Sequence, residues 1–256
     1  MVTYPLLVIT GPTAVGKTEL SLKLAEELHG EIISADSMQI YRYMDIGTAK
    51  ATAEERKRIK HYMIDIINPD ETYSLADYQK EADRLIREIS ARGYLPIMVG
   101  GTGLYIRAVV QGFLLPEMEA NHQLRAELRE MASKHGNEYL HQKLAEIDPE
   151  HARKMHPNDL RRIIRAIEIF EETGRNMSYY LEKQKNTPPR YNTLKIGLNR
   201  NREELYERVN QRVDLMIKEG LVDEIKNIIK AGYNISTTAL QGLGYKEIIG
   251  YLNGEY

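Results

Sequence analysis

The octet Gly11-Pro12-Thr13-Ala14-Val15-Gly16-Lys17-Thr18 constrains this chain more than any other stretch. It fits G-x-x-x-x-G-K-[ST] at Gly11, Gly16, Lys17 and Thr18. The glycines let backbone N–H groups wrap an anion, Lys17 adds a point charge, and the Thr18 hydroxyl can hold Mg²⁺. Such a P-loop needs a strand before it and a helix after it. Leu6–Thr10 is a short apolar run of the buried parallel-strand type. Leu20, Leu24 and Leu28 recur at i, i+4, i+8 and mark an amphipathic helix, which Gly30 is expected to close. A plain βα turn is the bland alternative. The motif commits the chain to a polyphosphate but does not say which one, and ATP is only its habitual occupant.

The same alternation continues downstream. "EIISA" (31–35) reads as a strand. "HYMIDII" (61–67) alternates in the manner of one, up to the breaker Asn68-Pro69. Residues 74–93 predict a helix with Ser74 as N-cap, a stripe of Leu75, Tyr78, Ala82, Leu85 and Ile89, and Gly93 as its end. "YLPIMVGG" (94–101) is again a strand. Strands alternating with helices imply βαβ units and a parallel sheet. From about 113 to 190 the strand pattern is gone. Helices are expected over 119–136, 137–150 and 158–174, the last with Ile163, Ile164, Ile167 and Phe170 on one face. Residues 187–199 return to a loop and a strand. A helix over 201–219 follows, with Leu205, Val209, Val213, Met216 and Ile217 as its core stripe and Gly220 as its end. A Gly-rich hinge, "LQGLGYKE" (240–247), precedes a final helix. The fold class is therefore α/β: a P-loop NTPase-like parallel-sheet core, residues 1–112 plus 191–256, with an inserted helical domain at 113–190.

Composition excludes several chemistries. The chain has no cysteine, so disulfides, thiolate nucleophiles and thiolate zinc sites are out, and a reducing cytoplasm is expected. Its seven histidines show no metal-ligand spacing. The apolar run Leu6–Ile9 is too short for a secretion signal or a membrane span. A net charge of −2 confines any nucleic-acid surface to a local patch.

Chemistry-bearing residues cluster near the predicted strand ends. Asp36 closes the second strand, where open α/β sheets bind ligands. A carboxylate there can ligate a metal, accept a proton or bind a ribose hydroxyl. The bland alternative is a helix N-cap, which the polar run of Ser34, Ser37 and Gln39 makes less attractive. The strand at 95–99 ends in Gly100-Gly101 and Thr102 rather than in a Walker-B aspartate. So bare a backbone suits close approach of a flat ligand, or else a tight turn into the next helix. Segment 153–165 carries Arg153, Lys154, Arg161, Arg162 and Arg165 against Asp159 alone. That is a nucleic-acid backbone patch or a solvated helix face. Arg208 and Arg212 lie one turn apart. Arg212 borders the apolar stripe and leans toward a ligand, whereas Arg208 has Glu204 at i−4 as a local partner.

Taken in order, "GPTAVGKT", "SADSMQIYRYMDIGTAK", "MVGGTGLYIRAV", "HPNDLRRIIRAIEIF" and "LQGLGYKE" resemble the tRNA dimethylallyltransferase family, over about residues 6 to 256. The combination is specific in a way the P-loop alone is not. The resemblance implies transfer of a dimethylallyl group from dimethylallyl diphosphate to the exocyclic N6 of an adenosine. That adenosine lies just 3′ of the anticodon in tRNAs reading codons that begin with U, and Mg²⁺ is required. It further implies that residues 11–18 hold the diphosphate with the metal on Thr18, that Arg212 is associated with that diphosphate, and that Asp36 is the general base. Asp36, Ser37, Met38, Gln39 and Thr102 would contact the target adenine. Arg125, the stretch Arg161-Arg162-Ile163-Ile164-Arg165 and the stretch Gln241-Gly242-Leu243-Gly244-Tyr245-Lys246 would contact tRNA. The helical insert would clamp the anticodon stem-loop, and the protein would be a cytoplasmic monomer. Family members usually continue beyond the point matched by "YLNGEY" with a basic, aromatic segment, whose lack would bear on tRNA affinity and stability. Two other classes compete: a small-molecule kinase using ATP on the same loop, and an RNA-binding protein with a vestigial loop. The intact Lys17, Thr18 and Asp36 count against the second.

Overall fold

Strand β1 (Tyr4–Thr10) lies inside a parallel five-stranded sheet of order β3-β2-β4-β1-β5. The other strands are β2 (Gly30–Ser34), β3 (His61–Tyr62), β4 (Leu95–Gly100) and β5 (Tyr191–Gly197). The computed structural model describes residues 3–116, 118–234 and 237–255. Residues 1, 2, 117, 235, 236 and 256 of the expected domains lie outside them. An interior strand is covered on both faces, which is why residues 6–9 are continuously apolar. Leu7 and Ile9 pack with Leu22 and Ala25 of α1 (Lys17–Glu27). Leu6 and Val8 pack with Tyr78, Ile86 and Ile89 of α3 (Leu75–Ala91) and with Tyr105 and Ile106 of α4 (Gly103–Val110). Helix α2 (Ala53–Arg58) precedes β3. Ser74 caps α3 in a capping box with Asp77.

The chain divides into two compact units: Gly112–Pro188, and everything else. The inner unit contains α5 (His122–His135), α6 (Asn137–Ile147), α7 (Pro149–Ala152), α8 (Leu160–Thr173) and α9 (Met177–Lys185), with no strand among its described residues. Its core is built by Leu128, Leu140, Leu144, Ile163, Ile164 and Ile167. In the α/β unit, α10 (Arg202–Lys218), α11 (Leu221–Lys230) and α12 (Tyr245–Leu252) follow β5. Ile225, Ile228, Leu240 and Tyr245 form a second core there with Ile40, Tyr41 and Met44.

Several sequence expectations need correction. Helix α1 ends before Gly30. His29 takes the left-handed turn (φ 50°), and Gly30 is already in β2. The buried positions of α1 are Ser21, Leu22 and Ala25, so the Leu20–Leu24–Leu28 stripe lies at the edge of the covered face and Leu28 is 48% exposed. The alternating segment 61–67 stays in the sheet for two residues only, because Met63 (φ 62°) and Asp65 (φ 56°) turn the backbone left-handed. Helix α10 buries Met216 alone, while Val213, Leu215 and Ile217 are exposed. It follows an edge strand, and only its last turn reaches the second core. Helix α9 had no sequence signal beyond its N-cap Asn176, since it buries no residue.

Candidate active site

The sheet order puts the carboxyl ends of β2, β4 and β1 side by side, the place where parallel α/β sheets bind ligands. The ends are tied together. Ala35 N–H donates to the Val99 carbonyl (2.7 Å), Thr102 N–H to the Ala35 carbonyl (3.0 Å), and Leu198 N–H to the Thr10 carbonyl (2.8 Å). Gly100 is required by this zipping, since a Cβ there would lie 2.1 Å from the Ala35 oxygen. Its bareness thus serves a neighbouring strand end rather than a flat ligand.

The P-loop runs from β1 into the first turn of α1. Gly16 stands at the helix N-cap with φ 106°, a left-handed conformation natural only to glycine. Lys17 donates to the carbonyls of Gly11 (2.9 Å) and Pro12 (2.7 Å). One cavity of about 650 Å³ is lined by Gly16, Lys17, Thr18, Asp36, Gln39 and Arg212, among others. Burial pulls the Lys17 ammonium below its ordinary pKa of 10.5; Asp36 opposes that shift and Arg212 adds to it. Burial also lowers the Arg212 pKa, again opposed by Asp36. The Arg212 Nε is buried and has no hydrogen-bond partner among the described residues. A buried donor left unmatched costs free energy, which an anion in the cavity would recover. Thr18 and Asp36 also line a small adjoining cavity of about 60 Å³. The described residues contain no group of three or more His, Cys, Asp or Glu able to hold a metal. One hydroxyl and one carboxylate suit Mg²⁺, which keeps several waters and takes phosphate oxygens for the rest.

Asp36 caps no helix. One of its carboxylate oxygens, Oδ1, accepts from Met38 N–H (2.9 Å), an Asx-type turn. Thr102 Oγ1 accepts from Ser37 N–H (3.0 Å) and donates to Ser37 Oγ (3.3 Å). Asp36, Ser37 and Thr102 therefore come together, as the sequence implied. Gln39 does not join them as a free reader of a base. Its Oε1 accepts from Ser34 (2.8 Å), and its Nε2 donates to the carbonyls of Thr48 (3.2 Å) and Ala49 (3.3 Å). Met38 meets the hinge "QGLG": a Cβ on Gly242 would lie 2.5 Å from the Met38 methyl.

Two residues behind this loop, Lys50 and Glu224, were given no role by the sequence. Lys50, buried, donates to the Tyr41 carbonyl (2.6 Å), Asp45 (2.8 Å) and Asp65 (2.6 Å). Glu224 of α11 accepts from the N–H groups of Asp45 (2.8 Å), Ile46 (2.7 Å) and Gly47 (3.3 Å), and from the Tyr245 hydroxyl (2.6 Å). Asp45 and Gly47 lie 179 and 177 positions from Glu224, so no local motif marks that residue.

The expected tRNA contacts divide sharply. Ile163 and Ile164 are core residues of the helical unit. Tyr245 is 1% exposed and spends its hydroxyl on Glu224, so its side chain is part of the core. Arg125 forms a bidentate pair with the fully buried Glu168 (2.8 and 2.9 Å), and Arg165 bonds the same carboxylate (2.6 Å). Burial alone would raise the Glu168 pKa, but the bonds from Arg125, Arg165 and Asn121 N–H hold it below its ordinary value. Arg161 and Arg162 stay exposed, the latter 3.5 Å from Asp159. Leu243 is 86% exposed, and Gln241 and Lys246 also face solvent. Glu204 pairs with Arg200 rather than with Arg208, whose Nε donates instead to the Ala14 carbonyl at 2.8 Å.

Comparisons with known proteins identify the family. Residues 39–256 match the family model described as IPP transferase. A tRNA dimethylallyltransferase of Halothermothrix orenii is 59% identical over 98% of this chain and 76% of its own length. One from a Thermoanaerobacter species is 52% identical over 98% and 80%. Among solved structures, the tRNA isopentenylpyrophosphate transferase of Bacillus halodurans aligns with a TM-score of 0.69 at 46% identity, covering 99% of this chain and 79% of that one. A eukaryotic dimethylallyltransferase acting on tRNA aligns with a TM-score of 0.83 at 30% identity, covering 99% and 64%. The P-loop, the aspartate beside it and the near-complete match in sequence and fold together place this chain in the IPP transferase family.

Proposed function

We propose that this chain transfers the dimethylallyl group of dimethylallyl diphosphate to N6 of an adenosine in tRNA, releasing diphosphate. The observation that carries the reading is the single cavity where Lys17, Thr18 and the unmatched Arg212 face Asp36. The family assignment disfavours the kinase alternative. The target, by the family resemblance, is the adenosine 3′ of the anticodon in tRNAs reading U-starting codons.

The chemistry follows from these residues. The N6 lone pair is delocalised into the adenine ring and is a poor nucleophile. The allylic C1 tolerates positive charge. As N6 bonds to C1, the C1–O bond breaks and its electron pair leaves with the diphosphate. Most of the barrier falls by stabilising charge on that leaving group. The loop N–H groups, Lys17 and Arg212 are preorganised to do this. Mg²⁺ held by Thr18 would supply further neutralisation of the diphosphate. The Asp36 carboxylate takes the N6 proton, for a contribution of about 10²–10⁴-fold. Thr102 retains acceptor capacity beyond its bond from Ser37, enough to orient the amine. The base must leave its stack to enter, which costs a few kcal/mol, less from a single-stranded loop.

No helix among the described residues is long and apolar enough to cross a membrane. The absence of cysteine fits action in the reducing cytoplasm, and one chain carries every residue used above, which fits a monomer. The test is direct. Labelled dimethylallyl diphosphate, tRNA and Mg²⁺ are mixed with the protein without ATP. Label is expected in the tRNA; strict ATP dependence would overturn the reading.

A further inference from the structure

We infer that Arg208 and Arg200 are positioning residues that hold the phosphate loop in its anion-binding shape. The inference rests on the diphosphate reading above and deepens it. Ala14 sits at φ 63°, in the left-handed region. A residue with a Cβ is strained there, and such strain persists only where the surroundings enforce it. The enforcing contact is at hand: Arg208 Nε donates to the Ala14 carbonyl at 2.8 Å. The next carbonyl, that of Val15, accepts from Arg200 Nε at 3.2 Å. Arg200 is steadied in turn by its ion pair with Glu204.

The consequence follows from peptide geometry. In a trans peptide the C=O and the following N–H point in opposite directions. No peptide bond among the described residues is cis. Fixing the Ala14 carbonyl toward Arg208 therefore fixes the Val15 N–H the opposite way. Fixing the Val15 carbonyl toward Arg200 does the same for the Gly16 N–H. These two N–H groups lie in the loop that leads into α1, and successive N–H groups of this kind form an anion-binding concavity. Helix α10 thus contributes twice: Arg212 and Arg208 both line the cavity, and Arg208, one turn earlier, also holds the loop backbone through the Ala14 carbonyl. No local motif announces this, because Arg208 and Ala14 are 194 residues apart.

The test measures binding of inorganic pyrophosphate to the full chain by calorimetry, together with kcat and KM for prenyl transfer. Arg208→Ala should weaken pyrophosphate binding by about tenfold, the effect of one hydrogen bond from a charged donor. It should raise KM for dimethylallyl diphosphate while leaving KM for tRNA and the thermal midpoint unchanged. Arg208→Lys keeps the charge but lacks the guanidinium Nε, and it should not restore binding. Ala14→Gly in the Arg208→Ala background should recover part of it, because glycine takes the left-handed conformation without strain. Full binding by Arg208→Lys, or wild-type affinity in Arg208→Ala, would overturn the positioning role and leave the diphosphate reading intact. A wild-type protein that neither binds pyrophosphate nor transfers the prenyl group would overturn both.

Discussion

The two units of this protein deploy their basic residues in opposite ways. In the α/β unit, Lys17 and Arg212 face a cavity with no carboxylate in salt-bridge contact, and the Arg212 Nε has no partner at all among the described residues. In the helical unit, Arg125 and Arg165 converge on Glu168, a carboxylate with no solvent exposure. The first arrangement leaves positive charge for a ligand to neutralise. The second has its counter-charge built in and serves the packing of α5 against α8. A basic residue thus reads as functional or structural by what its donors already hold, not by the company it keeps in sequence.

The contrast can be broken or sharpened experimentally. The largest effect is expected at the cavity. Asp36→Ala should lower kcat by about 10²–10⁴-fold while tRNA binding persists. Single-turnover transfer measures this, and near-normal turnover would remove Asp36 from the role of base. Next comes the buried carboxylate. Glu168→Gln strips the charge from a buried ion pair and should cost about 3 kcal/mol, the low end for such a loss because both arginines reach solvent. Urea denaturation reads it. The sign of the pH effect follows from the depressed Glu168 pKa. Its stabilisation is present above the ordinary value of 4.5 and is lost as pH falls through the lower folded value. Acid titration of the wild type should show that loss, and Glu168→Gln should lack that part of it.

A smaller effect tests whether the exposed arginines are the ones left for RNA. The double change Arg161→Ala and Arg162→Ala should weaken tRNA binding and reduce its salt slope by about 1–2, without moving the unfolding midpoint. An unchanged slope would return α8 to solvent. Arg165→Ala should instead shift the midpoint. The smallest effect belongs to Tyr245. Tyr245→Phe should cost about 1 kcal/mol of stability, one hydrogen bond to Glu224, and leave tRNA affinity unaltered. Loss of tRNA binding there at unchanged stability would contradict its burial.

The legible parts of this protein share a cause. The cradle at 11–18, the strands β1, β2 and β4, and the capped helix α3 depend on local backbone preferences and on apolar spacing within a few residues. The division into an α/β unit and a helical one shows the same way, as a change of period. The misread parts also share a cause. The α10 stripe has the right spacing, but the helix lies beyond an edge strand with little to cover it. Gln39 and Tyr245 sit in motif stretches, yet internal partners consume their polar atoms.

From residue order alone, this chain is an α/β protein with a polyphosphate cradle and an aspartate beside it, because local chemistry suffices for both. Which cations remain available was settled by folding. The Arg125–Glu168 pair spans 43 positions, Arg208–Ala14 spans 194 and Glu224–Asp45 spans 179. A charge is spent or free according to what lies within hydrogen-bond reach, and at those separations that is a property of the packed chain.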